Sequence, residues 1–144
     1  MSFAQGGTVS SVNEKKLPLE RFLEVNKMVS DFKQLKVWQK AMDFAESVYK
    51  ITGKFPKSEI YALTNQLRRS AVSVSSNIAE GCGKPTKKDF LKFLYIAYGS
   101  IKELESCLII AKRLSYIDSY QFEKSDRDCS EIGKMLFGLI KRLE

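Results

Sequence analysis

Histidine is absent from this chain, which removes the commonest general base and metal ligand near neutral pH. Also missing are a phosphate-cradling P-loop, a G-x-G-x-x-G turn after a strand and a serine nucleophile elbow. The three cysteines, Cys82, Cys107 and Cys129, form no C-x-x-C pair. They are expected to be buried free thiols, as in a protein of the reducing cytoplasm. No apolar run approaches the ~18 residues of a membrane span, and the first residues lack the basic-then-apolar order of a signal peptide. No stretch alternates polar and apolar residues as a half-buried strand does. Glu80 and Glu103 are the one carboxylate pair that could be imagined as a site. A di-iron bundle wants Glu-x-x-His twice, however. These two are instead expected to accept hydrogen bonds or to pair with Arg68, Arg69 or a lysine. The chain therefore reads as a non-enzyme with no catalytic residue, metal or cofactor.

What is present is length for one domain, 144 residues, and a net charge of +7. A chain of this size buries roughly 68–70% of its unfolded surface and folds without staples. The charge is uneven. Residues 33–54 carry +3, residues 57–84 carry +2, residues 87–116 carry +3, and residues 118–144 carry −1. A basic body suits a polyanionic partner, while the plainer reading is charge that keeps a soluble protein dispersed.

The chain divides at about residue 31. Residues 1–31, with Gly6-Gly7 and small polar side chains, read as a flexible extension. Residues 32–144 hold four amphipathic stretches. The first covers residues 35–52, with Trp38, Ala41, Met42, Ala45, Val48, Tyr49 and Thr52 expected inward and Lys36, Lys40, Lys50 and Lys54 outward. The second is expected over residues 58–81, ending at a glycine stop, Gly81-Cys82-Gly83, ahead of Pro85. Thr86 and Asp89 cap the third, whose inward stripe runs Phe90, Phe93, Leu94, Ala97, Ile101, Leu104, Leu108 and Ala111. The fourth opens at Asp118 or Ser119 and places Cys129, Ile132, Leu136, Leu139 and Leu143 inward. Four long helices joined by short turns predict an all-α, antiparallel up-down-up-down bundle.

The second helix is the unusual one. Leu63, Leu67, Ala71, Val74, Ile78 and Cys82 make its inward stripe, yet its back carries Ala62, Asn65, Val72, Ser76 and Ala79 rather than Lys and Glu. Small side chains let another backbone approach closely, so this helix is expected to be covered on both sides. Arg69 and Glu80 flank the row and could fix register between subunits. A polar seam, Gln66, Ser70, Ser73 and Asn77, runs beside the core stripe and is expected to set register against a neighbouring helix or chain. Gly99 on the third helix costs about 1 kcal/mol relative to Ala if merely exposed, which points to close packing there. The patch around Tyr95, Gly99 and Ser106 is the expected counterpart of the Ala62–Ala79 row in a closed ring.

The strings at residues 35–41 (LKVWQKA), 66–81 (QLRRSAVSVSSNIAEG) and 90–105 (FLKFLYIAYGSIKELE), with Phe55-Pro56 between them, resemble a bacterial four-helix-bundle family encoded in intervening sequences of 23S ribosomal RNA genes. One departure is Ser75, where many members carry proline. The resemblance implies a homopentamer, and it extends to the accessory protein of diversity-generating retroelements, a basic bundle that associates with a reverse transcriptase and nucleic acid. It maps N-I-A-E-G to Asn77, Glu80 and Gly81 with their neighbours, and G-S-x-x-E to Gly99, Ser100 and Glu103. These carry over as assembly and packing positions.

The resulting expectation is an oligomeric accessory that binds structured RNA, or DNA, through phosphates. Lys36, Lys40, Lys50, Lys54, Arg68, Lys84, Lys87 and Lys88 are the expected contacts, with no aromatic platform evident to read bases. The alternative is a scaffold whose ring docks a protein such as a reverse transcriptase, its charge being incidental.

Overall fold

A computed structural model describes residues 31–144, together with Leu19, Glu20 and Leu23, which are helical. The expected flexible extension otherwise lies outside the described residues. The domain opens with a 3-10 turn, Phe32–Gln34, capped by the Asp31 carboxylate, which accepts from the Lys33 N–H at 3.1 Å. Four helices follow: α1 Lys36–Thr52, α2 Leu63–Cys82, α3 Lys87–Arg113 and α4 Ser119–Leu143. Among the described residues there is no strand.

The ends of these helices follow from local chemistry. The Thr86 hydroxyl accepts from the Asp89 N–H at 3.2 Å, as expected of a capping pair. Asp118 and Gln121 form a reciprocal capping box, with bonds of 2.7 and 3.0 Å. The start of α2 differs from the expected residue 58. A 3-10 turn occupies Lys57–Glu59, and α2 begins only at Leu63. The reason is Glu59, whose carboxylate accepts the Leu63 N–H at 3.1 Å and the Tyr116 hydroxyl at 3.1 Å. Ala62 thus precedes the helix instead of sitting on it. At the other end, α2 stops at Gly83 in a right-handed conformation. Gly81 is inside the helix and buried, so it is a packing position rather than part of the stop.

Cross-helix pairs fix the topology. Gln66 meets Glu103, while Gly81 faces Phe90 and Phe93, so α2 and α3 run antiparallel. Gly133 faces Ile101 and Tyr95 reaches Glu144, which sets α4 antiparallel to α3. Lys40 pairs with Glu131 and Ser47 lies beside Lys124, which sets α1 antiparallel to α4. Neighbouring helices alternate in direction around the bundle, as short connections require.

Leu67, Ile78, Phe90, Leu94, Ile101, Leu104, Ile132, Leu136, Ile140 and Leu143 fill the centre with almost no exposure. The inward stripes of α3 and α4 are as expected, except that Phe93 is only half-buried. On α1 the stripe is rotated. Val37, Ala41, Phe44, Ala45, Val48 and Thr52 are buried, Trp38 is half-buried, and Met42 and Tyr49 are 44% and 45% exposed. Both stripes share Ala41, Ala45, Val48 and Thr52, so periodicity alone leaves the flank open. Packing between α2 and α4 selects the Val37–Phe44 side.

Candidate nucleic-acid interface

The polar residues of α2 and α3 meet in one seam. Ser73 and Ser100 share a hydroxyl hydrogen bond of 2.8 Å. The Asn77 amide donates to the Ser73 carbonyl at 2.8 Å and to its hydroxyl at 3.0 Å. Ser100 also donates to the Ile96 carbonyl at 3.1 Å. A turn and a half away, the Gln66 amide donates to the Glu103 carboxylate. Asn77, Ser100 and Glu103 therefore sit on a single helix contact, with Gly81 at its end against Phe90 and Phe93. This arrangement sets register, and in it Glu103 accepts from the Gln66 amide. Glu80 is exposed on the outer surface.

The expected interface row is largely open in the single chain. Ala62, Asn65, Arg69, Val72 and Ser76 are exposed and Ala79 is half-buried. Asn65, Arg69, Val72 and Ser76 border a shallow hollow with Tyr49, Ile60 and Tyr61. Tyr95, Gly99 and Ser106 are also exposed, Tyr95 donating to Glu144 beside α4. A Cβ on Gly99 would meet nothing within 4 Å, so no close contact among the described residues accounts for that glycine.

The basic side chains divide between the two ends of the bundle. Lys36 begins α1, Lys84 follows α2, and Lys87 and Lys88 begin α3, so antiparallel packing gathers all four at one end. Lys92 and the last turn of α4, with Lys141 and Arg142, lie there too. Lys84 and Lys92 lie over the Phe93 ring, at 5.0 and 5.9 Å from its centroid. Two helix N-termini and two C-termini meet at this end, so their dipoles largely offset and side chains set its field. Lys50 and Lys54 belong to the opposite end, Lys50 near Glu46 at 3.8 Å. Lys40 lies between, bound to Glu131 at 2.7 Å. The lysines of α1 are thus spread along the length of the bundle, with Lys40 paired. Arg68 is committed elsewhere. Its Nε donates to Thr52 Oγ1 at 2.9 Å, a second nitrogen reaches the Tyr49 carbonyl at 3.5 Å, and the guanidinium lies 4.8 Å from the Tyr49 ring centroid. It finishes the C-terminus of α1, where a cation is favoured.

An aromatic cleft between α3 and α4 escaped the sequence reading. Tyr98 and Phe137, 39 positions apart in the chain, lie with ring centroids 6.3 Å apart. Lys102 lies over Tyr98 at 5.3 Å, and Lys141 over Phe137 at 5.2 Å. The signal was a tyrosine and a phenylalanine just off their core stripes, which is informative only once the two helices are paired.

The thiols are quiet. Burial pushes Cys82 up to about 11 and Cys129 up to about 12, and burial with the Glu103 charge also raises Cys107. A neutral thiol is a poor nucleophile and metal ligand. Among the described residues no group of three or more His, Cys, Asp or Glu could hold a metal ion, and no helix is long and apolar enough to cross a membrane.

Comparison with known proteins places the fold. A crystal structure of a protein of unknown function from the S23 ribosomal protein family of Bacteroides thetaiotaomicron superposes with a TM-score of 0.69 at 29% identity, covering 73% of this chain and 95% of that one. No curated protein matches. Residues 33–138 match the description "23S rRNA-intervening sequence protein". The chain belongs to the 23S rRNA-intervening sequence protein family.

Proposed function

We propose that this protein is a non-enzymatic, oligomeric nucleic-acid-binding accessory that holds structured RNA by its phosphates at the basic end of the bundle. The observation that carries this reading is the convergence of Lys36, Lys84, Lys87 and Lys88 from three helix termini, none of them in an ion pair among the described residues. Cations on helix ends can replace the counterions condensed on a nucleic acid without first breaking an internal ion pair. A cyclic homo-oligomer, a pentamer by family resemblance, would repeat this end around a ring and multiply the contacts. The exposed Val72–Ser76 row and the open Gly99 support such a ring, and Arg69 and Glu80 are its proposed register contacts.

The test is a mobility shift of structured RNA across a salt series. Parent protein is expected to lose about 0.7–0.9 log unit of affinity per phosphate contacted per log unit of salt. Changing Lys36, Lys84, Lys87 and Lys88 together to Gln is expected to weaken binding and flatten that slope. Changing Lys50 and Lys54 to Gln at the far end should do neither. The Lys50 and Lys54 variant should keep its thermal stability, since exposed positions are each worth within about 0.5 kcal/mol. The first variant should lose a little more, because Lys84 and Lys87 are half-buried and Lys84 lies over Phe93. A parent protein that leaves RNA unshifted at low salt overturns the proposal. That result favours a second reading, a scaffold for a protein such as a reverse transcriptase. The support for it is the apolar surface left open at Tyr61, 93% exposed, with Ile60 and Val72 beside it.

A further inference from the structure

We infer that the cleft between α3 and α4 is a stacking site for an unpaired base of a single-stranded nucleic acid whose phosphates lie on the basic end. This inference rests on the nucleic-acid reading above and adds a site to it. The cleft has a volume of about 400 Å³, within the roughly 300–1,000 Å³ typical of small-ligand sites. One wall carries Tyr98 and the other Phe137, which keeps half its surface exposed although it lies against Tyr98. Lys102 and Lys141 lie over the Tyr98 and Phe137 rings as exposed side chains that a stacked base would displace. Lys134 lines the cleft, and Glu105 pairs with Lys102 at 3.3 Å. Aromatic faces interleaved with cations are what single-strand binders use, because every base offers a π-face and every linkage a negative charge. Lys141, which lies over Phe137 and pairs with Glu144 at 3.6 Å, belongs to the last turn of α4 and so links the cleft to the basic end.

The second observation is a pair of glycines beside Phe137. Gly133 and Gly138 lie inside α4, where glycine weakens a helix relative to alanine. Packing among the described residues does not require either. A Cβ at Gly133 would make ordinary contacts of 3.7 and 3.9 Å with Ile101 and Tyr98, and one at Gly138 would meet nothing within 4 Å. Both line the cleft. Bare backbone at these points lets a flat group slide against the Phe137 ring, which alanine methyls would obstruct.

The experiment compares two probes on full-length protein: a single-stranded adenosine 12-mer, which has bases and phosphates, and inorganic polyphosphate, which has phosphates alone. Phe137→Ala is expected to weaken 12-mer binding about five- to hundredfold, the range of one lost stack, and to leave polyphosphate binding unchanged. Phe137→Trp should restore the 12-mer, whereas Phe137→Leu, apolar but not aromatic, should not. Changing Gly133 and Gly138 together to Ala should raise Tm yet weaken the 12-mer, a combination that loss of folding cannot produce. The inference is overturned if Phe137→Ala binds the 12-mer like the parent, or loses both probes equally. It is also overturned if Phe137→Ala lowers the mass of the assembly, since the cleft is then a contact between copies. A parent that binds polyphosphate and the 12-mer with equal affinity per charge removes the stacking site and leaves the phosphate reading standing. A parent that binds neither removes both.

Discussion

Cys129 shows how burial alone sets the chemistry of a side chain. It sits on the inward stripe of α4 without exposure, and burial is the largest cause of its high pKa, followed by the charges of Glu105, Asp126 and Asp128. The folded thiol titrates at about 12 and an unfolded one near 8.5, so the fold favours the protonated form. The associated stability is fully present below the unfolded value and is lost as pH rises from about 9 through about 12. Cys82, at about 11, contributes with the same sign. Denaturant titrations between pH 7 and pH 11 should therefore show falling stability. Cys129→Ala should be less stable at pH 7, because a small cavity replaces sulfur, but should fall less steeply with pH. Equal slopes for the two proteins would show that Cys129 stays protonated in both states or is exposed in the fold. Arg68 teaches the complementary point, that charge type does not disclose a role. Its fork is used on Thr52 and Tyr49 within the chain, although the sequence offers it equally to a phosphate.

Among the elements, the pairing of α2 with α3 organises the bundle. Gln66, Ser73 and Asn77 recur at helical spacing along one flank of α2, and Ser100 and Glu103 answer them from α3. One polar partner in wrong register would leave half-buried hydroxyls unbonded at about 1–3 kcal/mol each, so the seam fixes how the helices slide. Gly81 fixes how closely they approach. A Cβ there would lie 3.1 Å from Phe93 Cβ and 3.2 Å from Phe90 Cδ1. Phe93 Cβ is tied to its backbone and Phe90 has no exposure, so neither yields easily. Gly81→Ala gains about 1 kcal/mol of helix propensity and loses about 1–3 kcal/mol to overpacking. The expected net result is destabilisation by about 1 kcal/mol, read from the denaturation midpoint. A more stable Gly81→Ala protein would mean that the helices separate freely at this end.

For the whole molecule, the proposed ring puts its contact on the outer side of α2. Val72 and Ser76 are exposed, with Ala79 half-buried beside them. A row of small side chains on a basic protein is an uneconomical free surface and a suitable close contact. In a ring one heterologous contact repeats until it closes, and the row and the Tyr95–Gly99–Ser106 patch are distinct surfaces that could serve as its halves. Ser76→Glu or Ala79→Lys is expected to dissociate the assembly and leave each bundle helical, because an unpaired charge buried at such a contact costs several kcal/mol, roughly 3–5. Light scattering coupled to size exclusion decides it. A parent mass near 16.4 kDa overturns the ring, and a variant that keeps the parent mass moves the interface off α2.

The periodicity of Leu, Ile, Val and Ala was enough for the helices and most of the core, because an amphipathic helix carries its own instructions in the 3.6-residue repeat. The Thr86 cap was legible because a side-chain oxygen beside the first turn is also a local signal, and the fourth helix was placed from Asp118 or Ser119. Four features needed the tertiary structure. The Glu59 carboxylate that accepts the Leu63 N–H also accepts the hydroxyl of Tyr116, 57 positions away. The inward flank of α1 depends on which helices lie beside it, and periodicity tolerated Met42 and Tyr49 as well as Val37 and Phe44. Which lysines join Lys36 at one end depends on how the helices dock, since antiparallel packing brings Lys84, Lys87 and Lys88 beside the start of α1. Tyr98 and Phe137 became a cleft only by antiparallel docking of α3 on α4. Local sequence dictates backbone hydrogen bonding within a helix, whereas proximity between helices is set by how several stripes share one core, and that is where both candidate surfaces come from.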